Sequence, residues 1–199
     1  MTERPKKSDA GILAVMHKEN INQGFLSSLG KPFLRSLYIY LIKKELVIIY
    51  RDGTLITGFI SFSYDSSGII KRFIFSRPQV IFTIMFSLIK RPILIRSVFE
   101  TMKAPRKSNE QSLSAEIFPP GELLSITVDP KYQKSGTGTI LLNALEEELK
   151  ISCIKSYKVV AGKILVGANN FYLKNGFRLS RTINIHGESL SNIYIKNIL

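Results

Sequence analysis

The sequence predicts one α/β domain spanning residues 1–199, with parallel and antiparallel strands in a single mixed sheet (an α+β arrangement). Three observations support this prediction. A chain of 199 residues can bury one good core but hardly two. Early in the chain, an Asp-Gly turn joins two β-branched and aromatic runs, as in a hairpin. Later, an apolar run, a glycine-rich loop and an amphipathic helix follow one another, which predicts a strand and a crossover to a parallel partner.

The first part of the chain predicts two helices followed by the hairpin. Apolar residues recur at helical spacing within 12–16 and again within 33–42, on either side of a Gly-Lys-Pro break. The Asp-Gly turn then joins a strand at 46–50 to a strand at 55–64. These elements would form one side of the domain.

The second part of the chain predicts alternating strands and helices. Leu123 to Val128 has apolar residues on both faces, as expected for a buried strand, and an amphipathic helix follows the glycine-rich loop. A strand parallel to the first is predicted at 157–161, and a short helix at 167–174 ends at an Asn-Gly pair. The segments 177–185 and 191–198 predict a closing hairpin.

Residues 71–107 form a basic insertion between the hairpin and the strand that begins at Leu123. They contain nine Lys or Arg and one acid, Glu100, so they carry a net charge of +8 out of +13 for the chain. Apolar residues fill the gaps, and the pattern predicts two short basic helices. Two interpretations stay open: a substrate lid packed on the core, or a surface that receives an anionic membrane or a lipid-linked acceptor.

The composition excludes several kinds of chemistry. Cys153 is the only cysteine, so no intrachain disulfide or cysteine-based metal cluster can form, and this residue is predicted to be buried. His17 and His186 are predicted to be ordinary surface residues, and no metal is expected. Neither a signal peptide nor a spanning helix is expected, since the most apolar stretch is far shorter than the roughly 20 residues that cross a bilayer. A cytoplasmic protein is therefore expected, with peripheral membrane contact left open.

The segment from Gln133 to Thr139 is the strongest functional signal. Gly136 and Gly138 open a helix, and glycines at this place let backbone N–H groups approach an anion closely. The helix dipole adds to the attraction, while Gln133 and Lys134 supply side-chain donors and charge. A pyrophosphate group fits such a loop.

Two common glycine-rich motifs do not match this loop. Residue 141 is Leu where a dinucleotide-binding fingerprint has its third glycine, and no Lys follows Gly138 as a P-loop requires. The segment instead resembles the coenzyme A-binding motif of the GNAT acetyltransferase superfamily, Arg/Gln-x-x-Gly-x-Gly/Ala, which follows an apolar strand and a Val-x-Pro step, here at Val128. The segment 170–177 is similar to the family's second motif, a helix with a Tyr followed four residues later by Gly-Phe.

The resemblance implies a GNAT-like acyl-CoA N-acyltransferase fold, elaborated by the basic insertion, with acetyl-coenzyme A as co-substrate. It also implies that the strand 123–128 and the strand near Tyr157 splay apart. The pantetheine arm would then pair with main chain at 126–128, where a backbone N–H near Val128 would polarise the thioester carbonyl. The residues that the resemblance assigns to the cofactor are Ile126, Thr127, Val128, Gln133, Lys134, Ser135, Gly136, Thr137, Gly138, Thr139, Asn169 and Asn170.

Two catalytic roles are implied as well. Tyr172, in the second motif, is the candidate general acid that returns a proton to the departing thiolate. Glu122, eleven residues before Gln133, is the candidate base, because an amine with a pKa near 10 must lose a proton before it attacks. Glu116 is a weaker substitute. One departure from the family is Leu165, which stands where many members carry a cofactor-contacting Asn; the asparagines nearby are the candidate replacements.

The leading function is the transfer of an acetyl group from acetyl-coenzyme A to a primary amine by direct transfer in a ternary complex. An amino sugar or sugar nucleotide is the first acceptor considered, followed by polyamines and peptide amines. Two alternatives stay open: a protein that binds acyl-coenzyme A as a sensor or membrane-surface adaptor, and a basic nucleic-acid-binding module. The second is disfavoured because the basic segment has no recognised binding motif. A homodimer is also left open.

Overall fold

The computed structural model describes residues 1–21, 25–77, 118–184 and 190–198. The strands in these ranges are β1 (Thr2–Glu3), β2 (Leu46–Asp52), β3 (Leu55–Ser63), β4 (Glu122–Val128), β5 (Ser156–Gly162), β6 (Arg178–Asn184) and β7 (Leu190–Asn197). The helices are α1 (Ala10–Asn20), α2 (Phe25–Ser28), α3 (Gly30–Lys44), α4 (Ile69–Ser76), α5 (Thr137–Ile151) and α6 (Val166–Lys174). Short 3₁₀ turns lie at Lys7–Asp9 and Pro130–Tyr132.

The strands form one sheet in the order β1-β2-β3-β4-β5-β7-β6, and its central pair, β4 and β5, is parallel. The other neighbours are antiparallel. The predicted mixed sheet is therefore confirmed, as are the hairpin of β2 and β3 and the closing pair of β6 and β7. Gly53 has a φ of 57° in the first hairpin, a left-handed conformation that glycine adopts without strain.

The sheet separates two apolar clusters, one on each face. Successive side chains of a strand point to opposite faces. In β2, Val47 and Ile49 accordingly join a cluster with α1, α3 and α4, while Leu46 and Ile48 join a second cluster with α5 and α6. The chain thus buries both faces of its sheet, which is why β2 begins with four consecutive apolar residues rather than alternating apolar and polar ones.

The spacing of apolar residues in α5 determines which side of this helix packs against the sheet. Leu141, Leu142, Leu145 and Leu149 follow each other at helical spacing, and all four are buried. Glu147 lies on the opposite side and is exposed. Because this packing holds α5 rigidly against the sheet, the start of the helix has a fixed position beside the end of β4.

Three further predictions meet the structure here. The helix α4 covers the start of the basic insertion, whereas the rest of that segment, at 78–107, lies outside the described residues, as does Glu116. Cys153 is exposed, so the prediction of a buried cysteine is wrong: it follows the end of α5 in a left-handed conformation, with a φ of 56°. His17, on α1, is buried and hydrogen-bonded to Tyr38 of α3, so the prediction of a surface residue is wrong for it, while His186 lies outside the described residues. None of the helices in the described ranges has the length and apolar character needed to span a bilayer.

Candidate active site

The parallel strands β4 and β5 meet at one end and diverge toward the other. Their ladder consists of Glu122 opposite Lys158 and Leu123 opposite Val159, and it stops there. On its other side, β4 continues to pair with β3 as far as Val128. Beyond Leu123, no strand in the described parts of the chain therefore pairs with this backbone edge of β4, and the divergence forms a V-shaped cleft in the middle of the sheet.

The open edge of β4 presents the backbone of Ile126 and Val128. In an antiparallel pair, the backbone groups of successive residues face opposite neighbours. Asp129 donates its N–H to the carbonyl of Thr57 in the direction of β3, at 2.8 Å, so Val128 and Ile126 face the cleft. Gln133 donates its side-chain Nε2–H to the Val128 carbonyl at 3.0 Å. The carbonyl of Val128 is thus occupied, and its N–H is directed into the cleft.

The glycine-rich loop folds as the sequence predicts, with the start of α5 open to solvent. Lys134 and Gly136 have φ values of 62° and 87°, and nothing lies within 4 Å of a Cβ built on Gly136. Because the first N–H groups of a helix have no intrahelical acceptor, those of Thr137, Gly138 and Thr139 are available, and none bonds to a described residue. The loop can therefore receive an anionic oxygen at a helix N-terminus.

Side chains within the loop hold this conformation. The Ser135 hydroxyl donates to the carbonyl of Tyr132 at 2.5 Å and is hydrogen-bonded to the Thr137 hydroxyl at 2.9 Å. A Cβ on Gly138 would lie 3.2 Å from the ring of Phe171, so this glycine lets α5 and α6 approach each other closely. Both predicted motifs thus meet at this contact.

Tyr172 on α6 has a buried ring and an accessible hydroxyl. The ring contacts Phe177 and Tyr194 edge-on or tilted, and the residue is 5% exposed. Its hydroxyl bonds to no described residue, and no fully buried side-chain oxygen in the described parts lacks a partner. Solvent therefore reaches this hydroxyl. Burial, and to a smaller extent the nearby Tyr194, raise the pKa of Tyr172, which keeps the group protonated at neutral pH.

Asn169 and Asn170 differ sharply although they are adjacent. The Asn169 amide donates to the carbonyls of Gly162 and Leu165 at 3.0 and 2.6 Å, and its oxygen accepts from Asn192 and Tyr194 at 2.9 and 2.7 Å. Asn169 therefore ties the loop after β5 to α6 and β7, and any effect on a cofactor would be indirect. Asn170 is exposed and remains available.

Glu122 lies at the closed end of the cleft and is paired with a buried lysine. Its carboxylate is 3.4 Å from the Lys158 ammonium, whose side chain is 4% exposed. Lys158 also donates to the carbonyl of Pro119 at 2.7 Å and to the Ser66 hydroxyl at 3.2 Å. Lys158 was not among the residues predicted from the sequence. The available signal was a charged residue inside an otherwise apolar strand, which needs a partner if it is buried.

The predicted residues thus gather around one cleft. Gln133 to Thr139 border its open end, Ile126 and Val128 form one wall, and Glu122 lies at its base. Thr127 is buried and points to the opposite face of the sheet from these two wall residues. The individual roles of all these residues stay predictions.

Comparisons with known proteins agree with this geometry. Residues 109–179 match the family model of the acetyltransferase (GNAT) domain. A comparison with curated proteins finds no significant match. Among solved structures, the chain is similar to an N-acetyltransferase from Staphylococcus aureus Mu50, with a TM-score of 0.64, 13% identity, and coverage of 100% of this chain and 98% of that one.

Two further solved structures cover nearly the whole chain. One is the ribosomal-protein-S18-alanine N-acetyltransferase from Escherichia coli, with a TM-score of 0.59, 12% identity, and coverage of 100% of this chain and 93% of that one. The other is the PaiA N-acetyltransferase from Thermoplasma acidophilum in complex with coenzyme A, with a TM-score of 0.58, 14% identity, and coverage of 99% and 98%. At these identities the likeness concerns the fold.

The matched domain and the acetyltransferases that share this fold support an acetyl-coenzyme A-dependent acyltransferase. Residues 109–179 match the acetyltransferase (GNAT) domain and the chain shares its fold with solved acetyltransferases, so the predicted resemblance is confirmed.

Proposed function

We propose that this protein is an N-acetyltransferase that moves an acetyl group from acetyl-coenzyme A directly to a primary amine in a ternary complex. The observation that carries the proposal is the divergence of β4 from β5 beside the open N-terminus of α5. This arrangement provides a strand edge for an amide-containing arm and, where β4 ends and α5 begins, N–H donors for a pyrophosphate.

The residues present fit acetyl-coenzyme A, which supplies the acetyl group as a thioester. The N–H groups of Thr137, Gly138 and Thr139, with Lys134 and Ser135 beside them, would bind the pyrophosphate. Ile126 and Val128 would pair with the pantetheine arm. The Val128 N–H, which faces the cleft, would polarise the thioester carbonyl. The Val128 carbonyl is already held by Gln133. Asn170 is the asparagine that remains free to contact the arm.

Tyr172 and Glu122 would manage the protons of the transfer. The amine nitrogen forms a bond to the acetyl carbon while the carbon–sulfur bond breaks. Tyr172 would donate its proton to the departing sulfur, where negative charge accumulates beside it. Glu122 would accept the proton that the amine loses, directly or through water. The Lys158 ammonium competes for that carboxylate, so Glu122 is the less strongly supported of the two.

We propose an anionic acceptor, with the amine of an amino sugar or sugar nucleotide as the first candidate. The net charge of +13 supports this choice, because a positive surface concentrates anionic substrates near the protein. A panel should therefore compare sugar-nucleotide amines with polyamines, which carry positive charge, and with peptide amines.

Calorimetry with coenzyme A and acetyl-coenzyme A tests the cofactor site. We expect an affinity in the micromolar to millimolar range typical of enzyme substrates. Gly136→Glu should lower it at least about tenfold, since it puts a negative charge where a phosphate would bind. Gly53→Glu is the matched control, because Gly53 also has a positive φ and open space around it but lies in the first hairpin.

The outcomes separate the candidate functions. Binding that Gly136→Glu abolishes and Gly53→Glu preserves, together with thiol release on the amine panel, supports the transferase. Binding without turnover on any amine would favour a sensor or adaptor. No binding by the wild-type protein, combined with a salt-dependent affinity for nucleic acid, would favour the basic nucleic-acid-binding module.

We also propose that the start of the basic insertion contacts an anionic membrane surface. Phe73 packs into the core, whereas Phe75 on the same helix is 85% exposed and lies one turn from Lys71. An exposed aromatic ring beside a lysine suits the headgroup region of acidic lipids.

Cosedimentation with phosphatidylserine vesicles tests this contact. Phe75→Ser should reduce the bound fraction, because it removes the inserted ring without changing the charge. Ile151→Ser is the control, since Ile151 is 79% exposed at the end of α5. An equal reduction in both variants, or none in either, would contradict the proposal.

A further inference from the structure

A chain of four buried polar side chains connects the helices α1 and α3 to the sheet. His17 Nδ1 is hydrogen-bonded to the Tyr38 hydroxyl at 2.6 Å, and this hydroxyl is hydrogen-bonded to Ser125 Oγ at 3.2 Å. Ser125 Oγ is in turn hydrogen-bonded to Ser61 Oγ at 2.6 Å. All four residues are buried. Such a chain is costly to bury unless every member is satisfied, and here each has a partner.

This row of hydrogen-bonded side chains ends at Ser61 and Ser125, next to the position where β4 and β5 begin to diverge. In the ladder between β3 and β4, Ser61 pairs with Ser125 and Phe62 with Leu123, so Leu124 is an extra residue on β4. Such a bulge bends its strand and increases the local twist. On the other side of β4, Leu123 is also the last residue paired with β5. The bulge and the divergence of the parallel strands therefore coincide.

We propose that His17 and Tyr38 are positioning residues for the cofactor cleft: through Ser125 they fix the bulge that bends β4 away from β5. This inference rests on the proposed function, because it assigns the cleft to the pantetheine arm. The hydroxyl pair of Ser61 and Ser125 holds β4 to β3 immediately after Leu124. Tyr38 holds Ser125 from the helix layer, with its ring edge-on to Phe59 at 5.2 Å between centroids.

The role of Tyr38 can be separated from stability by comparing two ligands. Coenzyme A uses both the loop and the cleft, whereas the adenosine bisphosphate at its nucleotide end uses the loop alone. Tyr38→Phe removes the hydroxyl and retains the ring. We expect it to weaken coenzyme A binding about five- to tenfold and to leave adenosine bisphosphate binding unchanged, as loss of one buried hydrogen bond would predict.

Tyr40→Phe is the matched control, because Tyr40 is buried on the same helix and its ring packs on Phe73. Ser125→Ala is the second variant, to be used if Tyr38→Phe does not fold. Each variant is titrated calorimetrically with coenzyme A and with adenosine bisphosphate, well below its melting temperature.

Equal effects of Tyr38→Phe on the two ligands, or no effect on either, would overturn the inference while wild-type binding of coenzyme A upheld the proposed function. A wild-type protein that binds neither ligand would overturn both. A selective loss for coenzyme A in Tyr38→Phe and Ser125→Ala, absent from Tyr40→Phe, would establish the positioning role.

Discussion

The two glycines of the cofactor loop are required for different physical reasons. Gly136 has open space around it but a φ of 87°, a conformation that costs other residues roughly 1–2 kcal/mol. Gly138 lies within the helix, and its missing Cβ leaves room for the ring of Phe171 at 3.2 Å. The first glycine therefore shapes the anion site, and the second couples that site to the helix that carries Tyr172.

Tyr172→Phe should lower turnover by about 10²-fold and leave coenzyme A affinity and stability close to wild type. The reason is that the ring makes the packing contacts, while the hydroxyl bonds to no described residue. Steady-state kinetics with the best acceptor of the amine panel, alongside calorimetry, measures both quantities.

Tyr157→Phe is the control for this substitution. Tyr157 is buried in the same cluster, but its hydroxyl donates to Glu146 at 2.7 Å. Its loss should reduce stability by about 1 kcal/mol and spare turnover. If Tyr172→Phe retained wild-type turnover, the general-acid role would be wrong.

At the scale of elements, the site depends on how β4 and β5 are joined at one end. Glu122 and Lys158 pair both as neighbouring strand residues and as a buried ion pair, and Lys158 also reaches the carbonyl of Pro119. Removal of one partner of a buried ion pair leaves a buried charge, which costs about 3–5 kcal/mol. The pair of Glu122 and Lys158 therefore stabilises the fold, whether or not Glu122 also acts in catalysis.

Glu122→Gln, Lys158→Met and the double variant distinguish the two roles. We expect Lys158→Met to lower the free energy of unfolding by about 3–5 kcal/mol and the double variant to recover part of it, since no unpaired carboxylate remains. Urea denaturation measures this recovery. If Glu122 is the base, the double variant stays inactive despite regaining stability. If turnover instead returns with stability, Glu122 is a positioning residue.

The sequence predicted those parts of the fold and site that local patterns determine. The loop from Gln133 to Gly138 and the helix of Tyr172 carry recognisable spacings, and runs of β-branched, aromatic and other apolar residues predicted the main strands. The strand β1 was missed because two residues, Thr2 and Glu3, contain no period. The pairing of Tyr38 with Ser125 was missed because 87 residues separate them. Contacts between distant segments depend on packing, which no local pattern encodes.

At the scale of the whole molecule, the two faces of the sheet have different tasks. The face with α5 and α6 carries the loop and Tyr172, which the proposed function assigns to the cofactor. The face with α1, α3 and α4 contains the row of hydrogen-bonded side chains that links His17, through Tyr38 and Ser125, to Ser61. A change in the second layer can therefore affect both global stability and the site across the sheet, and the two effects need separate measurements.

Global stability should decrease as the pH falls from 7 to 5, because of His17. Burial, and to a smaller extent the charge of Lys18, lower the pKa of His17 from 6.5 to about 4. The unfolded chain therefore takes up a proton at a higher pH than the folded protein does. This contribution to stability is fully present above a pH of 6.5 and is lost progressively as the pH falls toward 4.

Between pH 7 and pH 5 we expect a loss of about 2 kcal/mol, measured as the free energy of unfolding in urea. Hydrogen bonds from Ser67 lower the pKa of Asp65 below its ordinary 3.8. Protonation of this carboxylate therefore reduces stability mainly at pH values below this range. His17→Gln keeps a hydrogen-bonding group next to Tyr38 but cannot titrate, and its stability should change much less over the same range. A wild-type protein with the same small change as His17→Gln would show that His17 is not held neutral by burial.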